Sequence, residues 1–469
     1  LACAASCERA SSLNRKLVGL SAIPYARNCS AFCATLPGMA VQLNPPLVIS
    51  SLPFDIAAPL AFDGEAFALH DGALYTSRFA GDIAKTLAAL PALGGVVIAD
   101  QSAAVSAVIM LPSNVAVIGR AGVTITQTDP TQDLFGFTGG SNVQVRGLNL
   151  VGGRCAFAAY NASNYTIAGN RVAGWHYRAI DLGQNMPDTS ILENTFTAPD
   201  PGMTDAVFAQ DVGANFRFCR NRIDTTGCTN AQAHGLALHT FASAGVLTDA
   251  HVEDNFFIHA GGNFAVEIGA FGGARPVAPI VRGNRFRFAA QTNGALSLAS
   301  CDDALCLGNV IDCNLIAPSI MAIEVVTSAG ALVQGCIVRN GAADGRALIF
   351  DSTSRCMATG NKFAGAVFIS SGVSGQPQLD HNSVTNNDVL IAAGSVWAHA
   401  IYLHANVAGC QAVNNRIQNN GVIAPAGCNL ITLEQSAGVI DATIVTGNPG
   451  AVFNNVGNAA TNTVLANGH

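Results

Sequence analysis

Glu267 and Glu324 stand at the same place in two short phrases of this 469-residue chain, Ala265-Val266-Glu267-Ile268 and Ala322-Ile323-Glu324-Val325. In an extended strand the residues on either side of each glutamate point to one face and the glutamate to the other. Only 11% of the residues are charged, so a matched acidic pair on one outward face is informative. Paired carboxylates do acid/base or nucleophilic work at glycosidic bonds. Separations of about 5–5.5 Å suit retention and about 6.5–9.5 Å inversion. Ser297 holds the glutamate's place in the phrase between them, which puts the pair two strands apart, roughly 9–10 Å at the backbone, with space for water above the serine. Asp254 and the Asp302-Asp303 pair are the other candidate partners of Glu267. His239 falls two residues past the outward position one phrase earlier, and His234, His239 and His259 are candidate general bases. Each also has a plainer reading, as a solvated carboxylate, a turn aspartate or a polar surface histidine.

The phrase belongs to a series. Its outward positions run Asp181, Phe208, Ala237, Glu267, Ser297, Glu324, Ile349, Phe368, Tyr402, Thr432. Phe208 and Tyr402, with Phe368, offer aromatic faces on which sugar rings stack. Otherwise they are covered between subunits of a homo-oligomer such as a trimer. Arg275 and Arg287 are candidates for binding a carboxylated sugar. Between these phrases a second one recurs, an apolar pair, Gly or a polar residue, Asn, any residue, then Val, Ile or Phe. Examples are Ile167-Ala168-Gly169-Asn170-Arg171-Val172 and Arg282-Gly283-Asn284-Arg285-Phe286. Copies centre on Leu148, Asn170, Asn194, Asn221, Asn255, Asn284, Asn309, Cys336, Asn361, Asn382, Asn415 and Asn448, at intervals of 21 to 34 residues. Periods of this size built from short Val-, Ile- and Phe-rich segments predict a solenoid of strands, about 12 coils long, whose stacking buries one continuous core. Asn at a fixed bend suits left-handed backbone geometry and an amide ladder from coil to coil.

Half of the residues are hydrophobic, yet no apolar run has the length of a membrane span. A net charge of −7 with three lysines (Lys16, Lys85, Lys362) argues against a nucleic-acid partner. Residues 1–75 do not repeat. Their Cys3, Cys7, Cys29 and Cys33 form two C-x3-C pairs that suit a disulfide-stapled hairpin in an oxidising compartment, with zinc as the rival. The other cysteines, among them Cys219, Cys306, Cys336, Cys356 and Cys410, read as small buried hydrophobes. Thr76-Ser77 offers an N-cap for a helix carrying Phe79, Ile83, Leu87 and Leu90, ended by Gly94-Gly95 and suited to plug the open end of the solenoid. The solenoid then spans 76–455, and residues 456–469 form a tail that wraps or frays.

The helix, the entry segments Leu111-Pro112-Ser113-Asn114-Val115 and Gly119-Arg120-Ala121-Gly122, and the coil repeats together resemble the right-handed parallel β-helix proteins of the pectate-lyase-like superfamily, over roughly 75–455. The resemblance implies an all-β single-stranded parallel β-helix that acts on or binds carbohydrate along one face, as polygalacturonases, fructotransferases and phage tailspike depolymerases do. The segment Glu253 to Glu267 is similar to an inulin fructotransferase region in which two carboxylates serve, which would be Asp254 and Glu267 here. The Asn-Thr-Asp, Gly-His-Gly and Arg-Ile-Lys motifs of polygalacturonases are absent. The implied protein is secreted or on a virion surface, its partner a polysaccharide or oligosaccharide, with no cofactor and no metal ligand set. Glycosidic cleavage or transfer is the first expectation, a non-catalytic adhesive fibre the second, and a calcium-dependent lyase with an Arg base the third.

Overall fold

The computed structural model describes residues 73–448 apart from 198–199, 243–245, 291, 314–320, 342–344, 373–377, 394 and 396–398, together with 452–455 and 462–464. The Cys3, Cys7, Cys29 and Cys33 expectation lies outside the described residues.

Each coil contributes three short parallel strands. In one coil these are His234–Thr240, His251–Glu253 and Phe256–His259. They pair in register with Phe264–Ala270, Ile280–Arg282 and Arg285–Phe288 of the next coil. Repetition builds three sheets. The third has 13 strands, and the first and second are joined into a 28-stranded sheet by the long strands Phe135–Arg146 and Cys155–Ala168, which serve both faces. The result is the expected parallel β-helix. Its interior is a single stack of apolar side chains. Phe196, Phe218, Phe257 and Phe286 lie ring on ring at centroid spacings of 6.5, 6.3 and 5.1 Å, which follows from a coil rise of about 4.8 Å.

The ladder is present, with a different division of labour at the bend. The left-handed residue is the one before the asparagine: Gly169, Glu193, Arg220, Asp254, Gly283 and Gly308 all have φ between 55° and 66°. This frees the Asn amide to bond along the stack. Asn170 Nδ2 donates to Asn194 Oδ1 at 3.1 Å, and the chain continues through Asn221, Asn255 and Asn284 to Asn309. It resumes from Asn361 through Asn387 and Asn420 to Asn448. Asn382 and Asn415 lie outside this run and are joined to each other, the Asn382 backbone N–H donating to Asn415 Oδ1 at 3.0 Å. They precede the second-sheet strands Ser383–Thr385 and Arg416–Gln418, where Asn382 Nδ2 donates to Thr353 O and Asn415 Nδ2 to Leu379 O. The doubled sequences Asn382…Asn387 and Asn415…Asn420 both fit the phrase, and only stacking tells them apart.

Cys336 interrupts the ladder. Its backbone N–H still donates to Asn361 Oδ1 at 2.8 Å, but Asn309 Nδ2, which donates to Val281 O at 2.9 Å, meets only the sulfurs of Cys306 and Cys336 in the ladder direction, at 3.3 and 3.9 Å. Restoring the amide with Cys336→Asn gives the second Asn309 amide hydrogen an oxygen acceptor in place of sulfur. The variant is expected to be more stable by about 1 kcal/mol, read as a higher denaturation midpoint. A lower midpoint would mean that the added volume outweighs the bond.

The repeat cysteines are buried as expected, and Cys219, Cys306, Cys336, Cys356 and Cys410 are free thiols. Burial pushes the Cys356 thiol up to about 11 and that of Cys313 to about 12. Because the thiolate is the nucleophile, alkylation of these two in the native protein should run at least roughly tenfold slower than in the denatured chain, mapped by peptide mass spectrometry. Equal rates would contradict the buried core.

The entry helix is shorter than expected. Thr76–Phe79 is one 3-10 turn, and the helix proper is Ile83–Ala88, capped by Asp82, whose side chain accepts from Lys85 N. Thr76 and Ser77 are not caps. Their hydroxyls donate to Asp100 at 3.0 and 2.7 Å. Ile83 and Leu87 are buried, so the helix covers the first coil as anticipated. At the far end Thr463–Val464 pairs with Ile444–Thr446, so part of the expected tail is one more rung of the second sheet. No described helix is long and apolar enough to cross a membrane.

Candidate active site

The outward column of the first sheet is the one read from the sequence. Asp181, Phe208, Ala237, Glu267, Ser297, Glu324, Ile349, Phe368, Tyr402 and Thr432 pair in unbroken succession. His239 pairs with Gly269, two residues beyond the Ala237–Glu267 rung, as expected.

Both carboxylates are only partly exposed. The Glu267 side chain is only 12% exposed because two histidines close over it. His239 Nε2 lies 2.8 Å from Glu267 Oε2 in a hydrogen bond. His234 Nε2 lies 2.9 Å from the same oxygen, off line for a hydrogen bond, and has no other partner. The other ring nitrogen of His234, Nδ1, is fixed by Asp205 Oδ1 at 2.8 Å. Asp205 in turn accepts from Arg178 Nε at 3.2 Å, and Arg178 Nη1 donates to Asp181, which also accepts from the Tyr160 hydroxyl. Burial alone would raise the Glu267 carboxyl, but His234 and His239 hold it down to about 2. Burial alone would depress His234, yet its two carboxylate neighbours, Asp205 and Glu267, raise it to about 9.

An aromatic rim surrounds His239, with Phe208 edge-on at 5.6 Å, Phe241 at 5.8 Å and Phe271 at 4.4 Å. Phe241 and Phe271 are each 42% exposed. Phe241 enters from the long coil between Asn221 and Asn255, and its backbone N–H donates to Asp211 Oδ1 at 2.8 Å.

Glu324 sits in the opposite electrostatic setting. It accepts from Ser297 Oγ at 2.7 Å. Burial, joined by repulsion from Asp351 and Glu267, raises its carboxyl against the pull of that hydrogen bond and of Arg346.

The remaining sequence candidates fall elsewhere. Asp254 is the left-handed turn residue between the second and third sheets, exposed and separated from Glu267 by the whole third-sheet strand Phe256–His259. Its type answers the turn's need for a small polar residue. Asp302 and Arg275 lie in turns after first-sheet strands and are tied to each other, Arg275 Nε to Asp302 Oδ1 at 2.9 Å. Arg287 is on the third sheet, in a surface cleft of about 450 Å³ shared with Phe256, Arg285, Asp312 and Arg339. Tyr402 and Phe368 are 8% exposed and so present no open stacking face: Tyr402 is flanked by the rings of His399 and His404 at 4.4 and 4.9 Å. Phe208 lies under the Arg178 guanidinium at 3.7 Å. His259 is fully buried, and burial depresses it to about 4. Sequence reasoning missed Asp205 and Arg178, which begin the strands just before the repeating phrase. The equivalent places Arg178, Asp205 and His234 are all polar, and that recurrence was the available signal.

His234, His239 and Glu267 also place three metal-ligating atoms within 4.8 Å of one another, although the sequence suggested no ligand set.

The sequence matches no protein-family model and no curated protein. Among solved structures it is similar to the catalytic unit of a thermostable GH87 alpha-1,3-glucanase from Streptomyces thermodiastaticus, at 16% identity, over 86% of this chain and 72% of that one, with a TM-score of 0.54. It is also similar to PfbA, a surface adhesin of Streptococcus pneumoniae (10% identity, 82% and 89% of the two chains, TM-score 0.44). A DFA-IIIase from Arthrobacter chlorophenolicus aligns at 11% identity over 85% and 99%, with a TM-score of 0.41. At these identities the likeness concerns the backbone, and with three stacked sheets around one core the chain has the fold of a parallel β-helix protein.

Proposed function

We propose that this protein cleaves or transfers glycosidic bonds of an extracellular or virion-bound polysaccharide on the outward face of its first sheet, with Glu324 as proton donor and Glu267, held by His239 and His234, facing the other side of the bond. The observation that carries the reading is the geometry of the column. Two carboxylates share it, two strands apart, with only Ser297 between them. A spacing of about 9–10 Å at the backbone fits the inverting arrangement better than the retaining one. Their surroundings also differ in the sense that separates an acid from a base: a buried carboxyl beside other carboxylates retains its proton, and one beside imidazoles loses it. The rim of Phe241 and Phe271 gives an apolar surface on which a sugar ring can stack beside the polar centre. Phe208 lines the same centre, and Asp254, Asp302, Arg275, Arg287 and Tyr402 have no part in it.

The test is digestion of a glycan panel by the wild-type chain and by Glu267→Gln, reading new reducing ends and the absorbance of unsaturated products. New reducing ends lost in the variant support hydrolysis, and a product without a reducing end supports transfer. Absorbing products would replace the reading with a lyase. No turnover of any glycan, with equal glycan binding by both proteins, would replace it with a non-catalytic adhesive role.

A further inference from the structure

The geometry points to a divalent transition-metal site made by His234 Nε2, His239 Nε2 and Glu267 Oε2. The inference shares its residues with the glycan reading but not its substrate.

Three observations support it. The first is spacing. Both imidazole nitrogens lie 2.8–2.9 Å from one carboxylate oxygen. Metal bonds of about 2.0–2.2 Å to nitrogen and oxygen put ligand atoms at right angles roughly 3 Å apart, so the two nitrogen–oxygen separations already match the edge of such a polyhedron, and all three donors lie within 4.8 Å of one another. The second is His234. Its side chain is 8% exposed, and its buried Nε2 lies 2.9 Å from Glu267 Oε2 but off line for a hydrogen bond, with no other partner. A buried polar atom left unpaired costs free energy unless something binds it. Nδ1 of the same ring is held by Asp205, which Arg178 holds in turn. Metal-bound histidines have this carboxylate behind them, because it fixes the ring and makes the far nitrogen a better donor.

The third is charge. Asp181, Asp205 and Glu267 bring three negative charges and Arg178 one positive. An imidazole that binds a metal through Nε2 is neutral, so the cluster around a bound ion would carry −3 + 1 = −2, which one dication balances. Two imidazoles and one carboxylate select Zn²⁺, Co²⁺ or Mn²⁺ over Ca²⁺ and Mg²⁺, which prefer all-oxygen sites. An ion here would polarise a sugar oxygen or a water, and Glu324 keeps its role as proton donor.

The test uses the full chain, stripped with a chelator and titrated with Co²⁺ by visible absorbance and with Zn²⁺ by calorimetry. One equivalent should bind with the spectrum of nitrogen and oxygen ligation and without the intense near-ultraviolet band of thiolate ligation. Glu267→Gln and His239→Asn should abolish this binding, and Asp205→Asn should weaken it about 10–100-fold, with each variant's melting curve recorded to show that it is folded. Absence of saturable binding, or binding unchanged in folded Glu267→Gln and His239→Asn, would overturn the inference and leave a network joined by protons. Metal-free protein that still cleaves glycan and shows no saturable metal binding overturns the inference and keeps the proposed function. Metal bound at these residues without turnover of any glycan does the reverse.

Discussion

Glu324→Gln should lower turnover of a responsive glycan by about 10²–10⁴-fold, the usual worth of a positioned general acid. Glutamine is nearly isosteric and still accepts the Ser297 hydroxyl bond seen at 2.7 Å, so the loss would come from the missing proton. The pH profile gives a second check. The acid works only when protonated, so activity falls as pH rises through the Glu324 pKa. Burial and the nearby Asp351 and Glu267 raise that pKa, while Arg346 and Ser297 oppose the rise. The alkaline limb should therefore lie above the range of an ordinary glutamate, and it should vanish in the variant's residual activity. Glu267→Gln should cause a loss of similar size. The double variant should lose little more than either single one, because groups that act on one bond are not additive. If Glu324→Gln retains more than about a tenth of wild-type turnover, the proton-donor assignment falls.

The second large effect concerns stability. Asn284 is fully buried and sits mid-ladder. Its Oδ1 accepts both the backbone N–H and the side-chain amide of Asn255, each at 2.9 Å, and its Nδ2 donates to Val252 O and Asn309 Oδ1. Asn284→Ala strands two buried donors on Asn255 and weakens two acceptors. At about 1–3 kcal/mol for each buried group left unpaired, the expected loss is about 4 kcal/mol, measured by denaturant unfolding followed by circular dichroism. Solenoid stability is set by neighbouring coils, so hydrogen exchange should quicken most in the coils of Asn255 and Asn309. A loss below about 1 kcal/mol would show that water or backbone rearrangement satisfies the orphaned groups.

Sequence alone determined the repeat, the strand phases and the outward column. These follow from local rules: alternation fixes which side chains face the core, and a fixed period fixes which of them stack. Glu267, Ser297 and Glu324 could thus be placed on adjacent strands by counting, and His239 beside Glu267. Counting failed where two local patterns fit equally, as at Asn382 and Asn387, since both follow the phrase and only hydrogen bonds to the next coil choose between them. It failed again for Asp254, where a turn's demand for left-handed geometry looks like a catalytic acid in one dimension. Only the tertiary structure decided how deeply each outward residue is covered. Tyr402 and Phe368 are roofed by their neighbours, while His234 and His239 converge on one oxygen of Glu267. Burial and the convergence of side chains from successive coils depend on loop paths and rotamers, which carry no period, and these set the charge state and the chemistry of the site.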